Sequence, residues 1–171
     1  MSSTETVRMS LEALASLLAP AHPDVAEQVL HAHDDPEGYV RKHADQLGER
    51  CIHEPVAELA WIALVDALFD HRLLAEFDWK EDPQEIRAQL RMLVSRPSVD
   101  PWVLFEADEM SLPAREFLTA CGRHYRDVGA ALAVLDIESD CYPVVCMRAA
   151  QVEELTKLAG RAGYTARGLG N

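Results

Sequence analysis

A chain of 171 residues with 49% hydrophobic content is long enough to bury its own core without disulfide or metal staples, and its length suits one domain spanning residues 1–171. A formal charge of -13 repels phosphate backbones, which excludes nucleic acid as a partner class. No apolar run approaches the roughly 20 residues that span a bilayer, which excludes a membrane.

The start, MSSTETVRMSLEALASLLAPAHP, shows no basic leader, apolar core or small-residue cleavage site. Four scattered cysteines, Cys51, Cys121, Cys141 and Cys146, contain no C-x-x-C pair and read as free thiols of a reducing cytoplasm. Cys141 and Cys146 are an odd separation apart on one strand and so face opposite ways.

The first part, about residues 10–70, is a series of helices punctuated by proline. Ser10 is expected to cap LEALASLLA, and Pro23 to open DVAEQVLHAH. Asp35 before Pro36 starts EGYVRKHADQLG, which Gly48 closes. Glu54 to Asp70, EPVAELAWIALVDALFD, is apolar on nearly every side through its middle, the pattern of a central helix packed on more than one side.

Residues 71–171 mix helix and strand. LLAEFDWKEDP alternates in chemistry like a strand with one wet face. Asp82, Pro83 and Glu85 then supply a cap, a first-turn proline and an N3 carboxylate. The helix that follows carries Ile86, Leu90, Leu93 and Val94 on one stripe, with Arg87 and Arg91 facing water. RPSVDP is a loop, PWVLFEADEM reads as either a short strand or loop, and Ser111, before Leu112 and Pro113, starts a helix running to about Tyr125. GAALAVLDI and YPVVCMR are strands, AAQVEELTKLAGRAG is a helix, and YTARGL is a closing strand. The uninterrupted AALAVL implies a central strand buried on both faces.

The acidic link Asp136, Glu138 and Asp140 imitates the opening of a calcium loop, but Cys141 and Met147 stand where that loop needs glycine and glutamate. Turn formation is the expected role, with the carboxylates in water. His22, His31, His33, His43 and His53 crowd the first 54 residues, yet no H-E-x-x-H or similar spacing makes three ligands converge, so they are read as surface histidines at helix ends. Cys121 and His124 share a helix face at i, i+3, without the glycine loop that would support a nucleophile. Trp79 is expected to tuck under the helix that follows it; exposed, it would be an interface anchor. No metal, cofactor or catalytic constellation emerges. Trp79, Asp136, Glu138 and Asp140 are the residues offered as a binding surface.

PAHPDVAEQVLHAHDDPEGYVRKHADQL, WIALVDALFDHRLLAEFDWKEDP and LAVLDIESDCYPVVCM followed by AAQVEELTKLAGRAGY together resemble a bacterial family catalogued as a domain of unknown function, over about residues 20–164. The resemblance implies no chemistry. The hairpin and final helix are also similar, at the level of fold, to the small mixed domains of SUKH-type immunity proteins.

The expected fold is α+β: an antiparallel sheet of three to five strands, mainly C-terminal, packed by an N-terminal set of helices. Residues 1–110 carry 22 acidic and 9 basic residues, whereas residues 111–171 carry 7 of each. That asymmetry, without a catalytic motif, points to an acidic cytoplasmic binding or regulatory protein, of immunity type, that engages a basic protein partner. The alternative is a hydrolase or metal-dependent enzyme whose site is assembled from non-adjacent acids and histidines.

Overall fold

The computed structural model describes residues 2–170. Helix α1, Ser3–Leu18, begins earlier than expected, because Ser2 and Glu5 form a cap and N3 pair upstream of Ser10. The Ser2 hydroxyl accepts from the Glu5 N–H at 3.1 Å, while Ser10 lies inside the helix and donates to the Thr6 carbonyl. Helix α2, Pro23–Asp34, opens on its proline as read. The Asp35 carboxylate accepts from the Gly38 N–H and starts α3, Pro36–Lys42. The single helix expected here breaks at His43, and α4, Ala44–Glu49, follows. The chain turns after Arg50 through Cys51, held at φ 60°, so Gly48 stays within α4.

Helix α5, Leu59–Asp70, is buried at every position from Leu59 to Leu68. Glu54–Glu58 precede it, and Phe69, which ends the apolar run, is exposed.

The strands are β1, Leu74–Asp78, β2, Ala130–Asp136, β3, Cys141–Arg148, and β4, Thr165–Gly168. They form one antiparallel sheet in the order β1-β3-β2-β4. β2 is central and buried from Ala130 to Leu135. Successive side chains on a strand alternate between faces, and here both faces are covered. Leu74, Ala133, Leu135, Val145, Met147 and Ala166 point into a core shared with α1, α2, α5 and α8, Val152–Ala162. Ala75, Phe77, Leu132, Val134, Val144 and Cys146 point into a second core under α6, Pro83–Arg91, and α7, Ala114–Asp127. The N-terminal helices therefore supply one of two covering layers.

Asp82 caps α6 as read, its carboxylate accepting from the Glu85 N–H at 3.0 Å. That helix ends at Arg91, so Leu93 stays buried but Val94, expected on the same stripe, is exposed. PWVLFEADEM, expected as strand or loop, and Ser111, expected to start the next helix, instead form two 3-10 turns, Pro101–Leu104 and Ala107–Ser111, and α7 begins only at Ala114, after Pro113. Helix α8 stops at Gly163, whose φ of 89° suits a residue without a side chain. Among the described residues, no helix is long and apolar enough to cross a membrane.

Candidate functional site

Within α5, Asp66 is the one carboxylate in the segment Leu59–Leu68, and it is only 3% exposed. Burying a charge is costly unless a partner compensates it. Arg50, delivered by the turn that ends α4, is that partner: its Nε and Nη2 donate to Asp66 Oδ1 at 3.1 and 2.8 Å. The same guanidinium donates to both oxygens of Glu76, at 2.9 and 2.6 Å. Glu76 reaches it because alternation along β1 places it on the face of Leu74, toward α5. Three elements thus meet at one cation.

Burial raises the Asp66 pKa above the ordinary carboxylate value, and the hydrogen bonds from Arg50 only partly oppose this. Burial also works against the charge on Arg50, yet its bonds to Glu76 and Asp66 prevail, so its pKa is raised. Asp66 Oδ2 has no hydrogen-bond partner among the described residues.

These residues floor an open cleft of about 690 Å³ between the helical layer and the end of the sheet. Glu49, Asp78 and Glu81 line it as well, which makes five carboxylates against one guanidinium already shared by two of them. Cys141 also lines it, but burial, with Glu76 and Asp78 nearby, raises its pKa. That shift favours its thiol over the thiolate.

The residues singled out from sequence divide around this cleft. Asp136 builds the turn after β2: Oδ1 accepts from the Glu138 N–H at 2.8 Å, and Oδ2 meets Arg167 of β4 at 3.3 Å. Its carbonyl accepts from Trp61 Nε1 at 2.9 Å. Glu138 is exposed at φ 55°. Asp136 and Glu138 line a smaller pocket of about 250 Å³ beside Tyr164, which Asp140 does not share. The exposed Asp140 accepts instead, through its carbonyl, from the Trp79 N–H at 3.0 Å.

Trp79 is 50% exposed, contrary to the expectation that it tucks under α6. It lies in the turn after β1, and Ile86 and Leu90 of α6 fill the core without it. Lys80 Nζ stands 4.8 Å from its ring centroid. Through Asp78 on one side and the 139–141 link on the other, Trp79 and Asp140 flank the acidic cleft.

The histidines singled out from sequence do not meet at one point: His31 and His43 both pack on Tyr39, while His22 stacks on His71. His43 stacks on Tyr39 at 4.2 Å, and burial lowers its pKa. His31 lies 3.8 Å from Asp35. Cys121 and His124 do not pair: Cys121 is fully buried, which raises its pKa, while His124 Nε2 lies 3.0 Å from each oxygen of Glu109.

Arg50, Asp66 and Glu76 were not anticipated from sequence. The available signal was the solitary acid in WIALVDALF, a charge with no reason to be there unless a distant cation answers it.

A two-sided antiparallel α+β sandwich with a guanidinium-clamped acidic cleft is the class of protein that this architecture defines. Within it, the chain belongs to the family DUF6630, a domain of unknown function, whose model matches residues 10–169. No curated protein and no solved structure matches it.

Proposed function

We propose that this chain is an acidic binding or regulatory protein of the cytoplasm, and that its cleft receives a cationic side chain from a basic protein partner, as an immunity factor does. The observation that carries this reading is Asp66: a buried carboxylate whose Oδ1 is spent on Arg50 and whose Oδ2, itself buried, has no hydrogen-bond partner among the described residues, beside four further carboxylates that line the cleft. Arg50 spends four of its five N–H donors on Asp66 and Glu76, so the surplus charge of the cleft is left for an incoming cation. Trp79 at the rim supplies an aromatic face of the kind that stacks on lysine and arginine. The charge of -13 adds long-range attraction toward such a partner.

The test is titration with a short Lys/Arg-rich peptide, and a pull-down from bacterial lysate, at low salt and at about 0.3 M salt. Binding should weaken at least about tenfold across that range and again in the double variant Asp78→Asn, Glu81→Gln. Failure to recover any partner at low ionic strength, or affinity indifferent to both changes, refutes the proposal.

One observation favours an enzymatic reading: a carboxyl with a raised pKa in a cleft is also what a general acid requires. Hydrolysis of an ester, phosphodiester or glycoside panel, abolished in Asp66→Asn with the fold intact by circular dichroism, would replace binding with catalysis.

A further inference from the structure

Away from the acidic cleft, the start of α2 and the end of α5 bring together three side chains that no short motif announces. His22 is the residue before α2, Asp24 lies in its first turn, and Pro23 between them fixes the local backbone. His71 follows the last residue of α5. Asp24 and His71 are 47 residues apart in sequence, yet His71 Nε2 lies 2.6 Å from Asp24 Oδ2. The His22 and His71 rings stack with centroids 3.9 Å apart and planes inclined by 27°. One ligand atom from each of the three side chains falls within 4.8 Å of the others.

We propose that His22, Asp24 and His71 form a binding site for a borderline first-row divalent cation of the Zn²⁺ type. Two imidazole nitrogens and one carboxylate oxygen suit Zn²⁺, Co²⁺ or Ni²⁺ and disfavour Mg²⁺ and Ca²⁺, which prefer all-oxygen sets. Two donors about 2.0–2.1 Å from a tetrahedral ion stand roughly 3.3 Å apart, so the His71–Asp24 contact has to open by well under an ångström. The ion replaces the hydrogen bond between His71 Nε2 and Asp24 Oδ2, and the neutral imidazole then carries its one proton on Nδ1. The His22 ring turns about its Cβ–Cγ bond to leave the stack, a soft rotation. The Asp24 side chain is 60% exposed, so the fourth position stays open to water. The bound ion ties the beginning of α2 to the end of α5, two helices that pack together in one core.

Untagged protein, stripped with chelator, is titrated with Co²⁺ by absorbance and with Zn²⁺ by calorimetry, and its melting temperature is read with and without Zn²⁺ and Mg²⁺. One equivalent should bind, with a visible Co²⁺ ligand-field band and a melting temperature raised by Zn²⁺ and not by Mg²⁺. His22→Asn, Asp24→Asn and His71→Asn should each weaken binding at least about tenfold, while His53→Asn leaves it unchanged. Each variant is compared with its own metal-free melting temperature, so one that is destabilised still reports whether Zn²⁺ raises it. Absence of a saturable equivalent, or binding that survives all three substitutions, overturns the site.

Discussion

Asp66 owes its position to a helix that is otherwise all hydrocarbon, and it is tolerated because one arginine answers two carboxylates. Removing that cation is the severe change. Arg50→Leu strands Asp66 and Glu76 beside each other with side-chain exposures of 5% and 18%. It should cost about 3–5 kcal/mol in urea unfolding at pH 7. The sign with pH follows from linkage. Carboxylates whose folded pKa is raised oppose folding above their unfolded value, and the penalty shrinks as pH falls through the folded value. Part of the Arg50→Leu loss should therefore return on acidification, and a loss identical at pH 7 and pH 5 would contradict the clamp. Sequence could show Asp66 as an anomaly but not its resolution, because Arg50 lies 16 residues from Asp66 and 26 from Glu76. Nothing local to either partner encodes that meeting.

Elements were legible where their signals are local. The caps at Asp35 and Asp82 and the first-turn prolines beside them are chemistry within three residues of one another, and the structure uses each as read. The strands around the acidic link announced themselves by continuous apolar runs and turn residues. Where the outcome depends on a neighbouring element, the reading went astray: α6 stops at Arg91 and so exposes Val94, and the core is complete without Trp79. The close approach of Gly122 was equally invisible. This residue lies inside α7, where the C-terminal segment crosses it, and an added Cβ would run into the Leu169 carbonyl. Leu169 is itself fixed by its N–H donating to the Leu132 carbonyl at 2.8 Å. Gly122→Ala should raise helix propensity yet lower stability by about 1–3 kcal/mol, because the backbone it meets cannot rotate away as a side chain could. A melting temperature equal to or above the parent would show that the crossing segment yields.

At the scale of the molecule, one sheet serves two cores, and this makes its cooperativity testable. Leu64 and Phe117 are fully buried on opposite sides of the sheet. Leu64→Ala should cost roughly 2–5 kcal/mol and Phe117→Ala about 3–5 kcal/mol. If residues 1–171 behave as one domain, each shifts a single shared calorimetric transition; two separable transitions would divide the layers into independent units. The same architecture constrains how the chain is born. Helix α1 packs on α8, so Leu11 and Leu14 have no complete shelter until α8 has been synthesised. β4, which closes the sheet beside β2, follows later still. Until α8 has been made, α1 therefore keeps part of its apolar face uncovered, and its full burial waits on an element far along the chain.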